Sequence, residues 1–478
     1  MTERISFVLG GKPEFRPQTF EVRNPADSTV WASVSTPTAD DINRAVELAR
    51  VGAATVAAMS GRKRAEILRG TARILLDRCE LFAETIRRES GKPISLARHE
   101  ARRAASLFEL ASAQMDRWGG DFIPFDGVEG GEGKWGVILR VPRGVILGIT
   151  PFNFPLNLVA HKLAPAFASG NALIVKPSRS TPVSAIRLVE AMVEAGAPPE
   201  AFSVLTISGE QAEELATRPE VKMVTFTGGA KVGWRLKKAA FDKPVTLELG
   251  GNAAAIIGNI KDLAGVAQRV ARAGVVNAGQ VCISVQRVYA VEAIYDEFRD
   301  LLTAAVKAAK WGDTSDPEVI VGPMINESAA KRVSDWVKDA SDSGARVLCG
   351  GRRQGNYFEP TLIENPPLTS KVHCEEVFAP VLTITKVADV NEAVKLTNAS
   401  DYGLQAGIFT ESLDEALSAA RVLEVGGVII NDVPTYRSDH MPYGGVKKSG
   451  NGKEGVLYAM EEMTEQRIVV FSPSQKKG

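Results

Sequence analysis

Three side chains of different chemistry stand out because each interrupts a segment that would otherwise be plain structure. Cys282 lies in Asn277-Ala-Gly-Gln-Val-Cys-Ile-Ser-Val-Gln286, where Gly279 and Gln280 break a helix-like stretch and leave the thiol at a junction between elements. A lone cysteine is most often an inert buried residue, so the case for a nucleophile rests on its surroundings. Glu248 sits in Val245-Thr-Leu-Glu-Leu-Gly-Gly-Asn252, a carboxylate inside an apolar, strand-like run that ends in a glycine pair. Near the end of a parallel strand such a group is placed to act as a general base, and partial burial raises its pKa toward neutrality. Asn153 is held between two prolines in Thr150-Pro-Phe-Asn-Phe-Pro155, directly after an expected strand. Turn chemistry accounts for most such asparagines, but a rigid amide donor beside a reacting carbonyl is also what an oxyanion site requires.

Two further segments carry the chemistry of phosphate binding. Phe226-Thr-Gly-Gly-Ala-Lys-Val-Gly233 reads as a strand, a glycine turn and a helix start, without the Gly-x-Gly-x-x-Gly spacing of the usual dinucleotide fingerprint. Lys176-Pro-Ser-Arg179 puts two cations directly after the strand-like run Ala172 to Val175, at a strand carboxyl end, where open α/β sheets bind ligands. The only histidines, His99, His161, His373 and His440, have no ligand spacing to one another or to a cysteine pair, so no metal site is expected.

The elements that must position these residues follow from periodicity. Residues 40 to 116 read as helices, with apolar residues recurring through Leu68, Ala72 and Leu75. From Asp121 to Leu139 glycine-rich sequence flanked by short apolar stretches predicts a hairpin. Between 144 and 257 six β-branched runs alternate with helix-like segments, the mark of a parallel sheet with crossover helices; the helix after the second run is expected to be capped by Thr181 and stopped at Gly196. A second alternating block runs from about 252 to 435. The expected fold is therefore α/β, with two Rossmann-like open-sheet domains and a small bridging β-sheet. The boundaries are 1–120 with 140–250 for a cofactor-binding domain, 251–440 for a catalytic domain, and 121–139 with 462–478 for a bridging element, its tail from Ser472 frayed.

Composition bounds the partners. At 478 residues the chain is long enough for two or three domains of roughly 150 residues each. Its 57 basic and 57 acidic residues balance, leaving no global field to hold a nucleic acid. No apolar run approaches the roughly 20 residues of a membrane span, no signal peptide opens the chain, and four unpaired cysteines (Cys79, Cys282, Cys349, Cys374) point to a reducing compartment, the cytoplasm.

Set in order, these fragments closely resemble the aldehyde dehydrogenase superfamily from about residue 20 to 470. The family's Pro-Phe/Trp-Asn-Phe-Pro stands at 151–155, Lys-Pro-Ser/Ala at 176–178, Phe-Thr-Gly-Ser-x-x-x-Gly at 226–233 and Glu-Leu-Gly-Gly at 248–251. Gly-Gln-x-Cys follows at 279–282, Glu-x-Phe-x-Pro at 376–380 and Pro-Phe-Gly-Gly-x-Lys-x-Ser-Gly at 442–450, with Tyr443 for Phe and, earlier, Gly229 for Ser. The resemblance implies Cys282 as nucleophile, Glu248 as base and Asn153 with the Cys282 backbone N–H as oxyanion hole. Glu454 matches a second family glutamate that assists proton relay. It further implies that Thr150, Pro151, Phe152, Lys176, Ser178, Arg179, Gly209, Phe226, Thr227, Gly228, Gly229, Gly233, Leu249, Glu376 and Phe378 bind the cofactor.

The segments 155–165 and 433–445 look most like lactaldehyde, non-phosphorylating glyceraldehyde-3-phosphate and phosphonoacetaldehyde dehydrogenases. The expected substrate is a small polar aldehyde such as lactaldehyde, glyceraldehyde or an anionic relative, met by Arg103, Phe154 and Arg437 and oxidised to the carboxylate through a cysteine thioester. Val281, where phosphate-binding members carry Arg, argues against a dianionic phosphate. NADP is expected over NAD, because Arg179 stands where NAD-using members often carry Glu. Two alternatives remain at this stage, a coenzyme A-acylating enzyme and a catalytically idle member with a binding or structural role; Glu248 speaks against the first. The bridging element resembles the family's oligomerisation element, so a homodimer or homotetramer is expected.

Overall fold

The computed structural model describes residues 2–473; the end of the expected frayed tail, 474–478, lies outside them. Its central feature is an eight-stranded sheet in the order Gly450–Asn451, Val245–Glu248, Val221–Thr227, Val145–Ile149, Ala172–Lys176, Phe202–Val204, Phe7–Leu9, Lys12–Glu14. The five middle strands run parallel, and their residues are almost all buried, as expected for strands covered on both faces. Chain order reverses between Val145–Ile149 and Val221–Thr227. Open α/β sheets bind ligands outside the strand carboxyl ends at such a switch point, and the segments 150–155 and 227–229 leave the sheet there.

A second sheet has the order Arg346–Cys349, Thr361–Glu364, Val381–Val387, Val285–Val291, Ala253–Ile257, Gln405–Phe409, Gly427–Ile430, parallel except at its first strand. The sixth run of the first alternating block, Ala253 to Ile257, thus belongs to the second sheet, and the chain crosses over at Gly250–Asn252. Trp135–Pro142 pairs antiparallel with Phe122–Pro124 and with the C-terminal strand Thr464–Phe471 to give a separate three-stranded sheet. Phe122, Trp135 and Phe471 stack on its exposed surface.

Four helices, α1 (Ala39–Ala58), α2 (Gly61–Asp77), α3 (Cys79–Ser90) and α4 (Ile94–Gln114), form the helical N-terminal block. They pack on the crossover helices α5 (Asn157–Ala168) and α6 (Val183–Glu194), which are followed by α7 (Gly209–Thr217) and α8 (Ala230–Ala239). The start of α6 corrects one expectation. Thr181 does not cap it: the Thr181 hydroxyl is buried without a partner, while the Glu89 carboxylate of α3 accepts from the backbone N–H groups of Val183 (2.8 Å) and Ser184 (3.1 Å). A carboxylate satisfies two orphan donors and complements the helix dipole, which a hydroxyl cannot do as well. Burial pushes the Glu89 carboxyl up to about 7 against those donors. Gly196 ends the helix in the expected way, with φ +98.

Candidate active site

A cavity of about 410 Å³ opens where the ends of the two sheets face each other. Of the residues singled out from the sequence, Arg103, Pro151, Phe152, Asn153, Phe154, Thr227, Gly228, Gly229, Glu248, Leu249, Cys282, Glu376, Phe378, Arg437 and Glu454 line it. Thr150, Lys176, Ser178, Arg179, Gly209, Phe226 and Gly233 do not. Thr150 and Lys176 meet at the strand ends, where the Thr150 N–H donates to the Lys176 carbonyl at 3.1 Å. Phe226 and Gly233 form the packed underside of the glycine turn, since a Cβ on Gly233 would sit 2.5 Å from Leu249 Cδ2. Gly209 is exposed at the start of α7.

The backbone around the thiol is held in unusual conformations. Asn277, Ala278 and Gly279 are all left-handed, with φ of 55, 55 and 63, and a Cβ on Gly279 would lie 1.9 Å from the Ala379 carbonyl oxygen. Ala278 gains nothing local from such a conformation; strain of this kind persists where the surrounding structure over-determines it, commonly at functional sites. Phe378, also left-handed at φ 51, sets its ring edge-on to Phe152 with centroids 5.9 Å apart. On the facing side, Gly250 and Gly251 permit close approach: a Cβ on Gly250 would collide with the Glu376 carboxylate, which accepts the Gly251 N–H at 3.0 Å.

One wall of the cavity holds polar groups with few partners. Cys282 Sγ lies 2.8 Å from Tyr443 Oη, and burial pushes the thiol up to about 11, opposed by that hydrogen bond and by the charge of Arg437. Glu248 is buried with neither carboxylate oxygen bonded, and burial, reinforced by the charge of Glu454, holds its carboxyl well above the ordinary carboxylate value. Asn153 Nδ2 donates to the Gln280 carbonyl at 2.9 Å, tying it to the turn that carries Cys282. Its Oδ1 has no partner, and its second N–H is left for a ligand. Buried polar atoms without partners are costly, so their concentration beside one thiol marks a place prepared for reacting groups.

The adjoining wall is the reverse, a network of paired charges. Lys162, fully buried in α5, donates to Glu454 Oε1 (3.1 Å), Thr227 Oγ1 (2.8 Å) and Thr225 Oγ1 (3.1 Å). Arg437 Nη2 donates to Glu454 Oε2 at 3.0 Å, and its guanidinium lies 3.7 Å from the centre of the Tyr443 ring. Burial opposes charge on Glu454, but the Lys162 and Arg437 cations hold its carboxyl below the usual range. Asp439 takes a two-pronged contact from Arg103 (Nε to Oδ2 at 2.9 Å, Nη2 to Oδ1 at 2.5 Å) and one from His161 Nε2 (3.0 Å); its ionisation, opposed by burial, is sustained by these donors. Burial and then the neighbouring Arg437 charge push His161 below the ordinary imidazole value, against the pull of Asp439.

A second carboxylate supports the Asn153 turn. Glu100 of α4 accepts from the N–H groups of Leu156 (3.0 Å) and Asn157 (3.1 Å) at the start of α5, and pairs with buried Lys92, whose ammonium lies 3.7 Å from the centre of the Phe154 ring. At the outer end of the cleft, burial and then the Arg179 charge bring Lys176 down to about 8. Arg179 is exposed and lies over the ring of Phe20 at 4.1 Å; among the described residues neither cation pairs with a carboxylate. No group of three or more His, Cys, Asp or Glu side chains among them could hold a metal ion, and no helix is long and apolar enough to cross a membrane.

Sequence reasoning did not assign Tyr443, Lys162, His161, Asp439 or the Lys92–Glu100 pair to the site. The signal for two of them was present: His161 and Lys162 are the only ionisable residues in an otherwise apolar α5 whose every residue is buried, and a buried charge needs a partner.

The aldehyde dehydrogenase family, as a sequence profile, matches residues 13–469. The chain is 43% identical over 471 residues to 3-sulfolactaldehyde dehydrogenase of Priestia aryabhattai, covering 98% of each sequence. It is similar to the crystal structure of aldehyde dehydrogenase 21 from Physcomitrella patens in complex with the reaction product succinate, with a TM-score of 0.97 and 40% identity over 99% of each chain. It is also similar to NADP-dependent glyceraldehyde-3-phosphate dehydrogenase from Bacillus halodurans C-125 complexed with NADP, with a TM-score of 0.95 and 34% identity over 98% of this chain and 99% of that one.

Proposed function

The chain belongs to the aldehyde dehydrogenase family, and from that premise we propose that it oxidises a short, anionic or hydroxylated aldehyde to the carboxylate with NADP, through a thioester on Cys282. The observation that carries this reading is the meeting, in one cavity, of a thiol, an unpartnered carboxylate and an amide with one N–H still free, together with two arginines. Cys282 gives up its proton to Glu248 or to solvent, and its sulfur bonds to the aldehyde carbon while the carbonyl oxygen takes the displaced electron pair. The free N–H of Asn153 and the Cys282 backbone N–H hold that oxygen. A nicotinamide held in the cleft by the cofactor-facing residues would supply the acceptor for the hydride that leaves the aldehyde carbon. Once any proton taken from Cys282 has passed on to solvent, Glu248 takes a proton from water, the oxygen of that water bonds to the thioester carbon, and the C–S bond breaks as Cys282 departs as thiolate. Hydrolysis by Glu248 is the reason water, and not coenzyme A, is the proposed acceptor. Glu454, fixed by Lys162 and Arg437, stands ready to pass the proton onward.

The residues present suit a dinucleotide phosphate. α8 starts at Gly229 with no side-chain cap, so its first N–H groups are open to a pyrophosphate. Lys176 and Arg179 stand unpaired at the strand end, and no acidic residue follows until Glu190, so a ribose phosphate meets cations and no repulsion. On the substrate side, Arg437 Nε is buried without a partner and Arg103 reaches the same cavity; both suit a carboxylate, sulfonate or hydroxyl next to the aldehyde. The exposed aromatic stack and free edge of the three-stranded sheet fit assembly into a homodimer or homotetramer.

A spectrophotometric panel of neutral, hydroxylated and anionic short aldehydes with both NAD and NADP tests this. The expected result is the highest kcat/KM for an anionic or 2-hydroxy aldehyde with NADP. In Arg437→Lys, which keeps the ion pair with Glu454 but loses Nε, kcat/KM for that substrate should fall by about tenfold or more. Equal activity across the panel in both proteins contradicts the substrate reading.

A further inference from the structure

Tyr443 stands where the family motif carries phenylalanine, and its extra oxygen lies within hydrogen-bond distance of the nucleophile's sulfur. We propose that Tyr443 is a catalytic residue, whose phenol O–H donates to the Cys282 thiolate and holds that sulfur ready for attack. This rests on the reading of Cys282 as nucleophile.

The geometry leaves the phenol no other use. Tyr443 is 3% exposed, its Oη lies 2.8 Å from Cys282 Sγ, and among the described residues no other atom bonds that hydroxyl. Its backbone is clamped on both sides by Glu454, through Tyr443 N to Glu454 O (3.0 Å) and Glu454 N to Tyr443 O (2.6 Å). Its ring is pressed against the Arg437 guanidinium at 3.7 Å, and Arg437 is itself fixed by Glu454. A cation on the ring face draws electron density from the phenol and makes its O–H a better donor.

The sulfur needs that donor. Of the charged groups that face the thiol, Glu248 and Glu376 disfavour a thiolate, as does burial; Arg437 favours it through space, and Tyr443 alone touches it. A neutral thiol is a weak acceptor, whereas a thiolate takes a charge-assisted hydrogen bond. The bond from Tyr443 therefore strengthens as Cys282 loses its proton. It weakens again once the sulfur's electron pair has formed the C–S bond, because a thioether or thioester sulfur accepts poorly. The phenol keeps its own proton throughout. Tyr443 thus acts on formation and attack of the thiolate and leaves the later hydrolysis step to Glu248.

Tyr443→Phe removes one oxygen, restores the residue usual in the motif and keeps a ring for Arg437, so the fold is retained. The test is the pH dependence of iodoacetamide alkylation at Cys282, followed on the Cys282 peptide by mass spectrometry. The midpoint should rise by about one to two pH units in the variant. Because a less acidic thiol gives a more nucleophilic thiolate, alkylation near neutrality should fall by only about three- to tenfold. In rapid mixing, the first burst of NADPH should slow by a similar factor, with NADP binding unchanged. A profile that superimposes on the wild type, or faster alkylation near neutrality, overturns the proposal. Cys282→Ser run in parallel separates the two readings: if it keeps turnover, the nucleophile reading itself fails, whereas loss of turnover with an unaltered Tyr443→Phe profile removes Tyr443 alone.

Discussion

The two walls of the cavity are built from the same kinds of residue and are wired in opposite ways. On one, Glu248 has no hydrogen bond to either oxygen, Asn153 has a free amide oxygen, and Cys282 has a single contact. On the other, Glu454, Lys162, Asp439 and Arg103 each have charged partners at about hydrogen-bond distance, and Arg437 bonds Glu454 through Nη2 while its Nε lies 4.0 Å from Asp439 Oδ1. Burial acts on both, yet it raises the Glu248 carboxyl while the Glu454 carboxyl is held low. The difference lies in the neighbours: the cations of Lys162 and Arg437 contact Glu454 directly and reach Glu248 only through space. A paired carboxylate is held charged and in place, whereas an unpaired one with a raised pKa can take up a proton from a reacting group and give it back. On the proposed mechanism, the paired wall is a support and the unpaired wall is where bonds change.

Substitutions on the two walls should therefore fail differently. On the unpaired wall Cys282→Ser should lose turnover by at least about a thousandfold while melting at nearly the wild-type temperature, measured by steady-state rates and calorimetry. On the paired wall Asp439→Asn should do the reverse. It strands the half-buried Arg103 beside buried His161, and leaving such partners unmatched costs about 1–3 kcal/mol, read as a lower denaturant midpoint; a stability equal to wild type would show that the network is not a support.

Two smaller effects sharpen the contrast. Arg179 lies outside the cavity, so Arg179→Glu should leave kcat nearly unchanged while raising KM for NADP about ten- to a hundredfold relative to NAD; a wild-type enzyme that prefers NAD would defeat this. Glu248→Gln should slightly stabilise the protein. The folded-state pKa of Glu248 is raised above its unfolded value, so the folded state holds the proton more tightly. Wild-type stability is then lost as pH rises from the ordinary carboxylate range through that raised value. Glutamine has no proton to lose, so the variant's advantage in melting temperature should be absent at acid pH and grow toward alkaline pH.

The unpaired wall was the legible one. Cys282, Glu248 and Asn153 are flanked by glycines and prolines that shape local backbone, and such punctuation is visible along a sequence. The parallel strands around them were legible for the same reason, as β-branched runs ended by turns. The paired wall was not, because its bonds join residues far apart in the chain: Lys162 to Glu454 and Arg103 to Asp439. The cap of α6 shows the same limit. Thr181 is the local candidate, and Glu89, brought in from α3 by helix packing, displaces it. The motif pointed Arg437 toward the cavity that it lines, but its burial between Glu454 and Tyr443 depends on contacts that periodicity does not encode.

The most direct measurement is rapid-mixing kinetics of Glu248→Gln with NADP and a good aldehyde substrate. If the unpartnered carboxylate activates water, the variant should release one equivalent of NADPH per active site in a fast phase, then turn over about 10²- to 10⁴-fold more slowly than wild type, with acylated Cys282 detectable by mass spectrometry. A variant with no burst and no acyl-enzyme would place Glu248 before thioester formation, and one with wild-type steady-state turnover would contradict the division between the two walls.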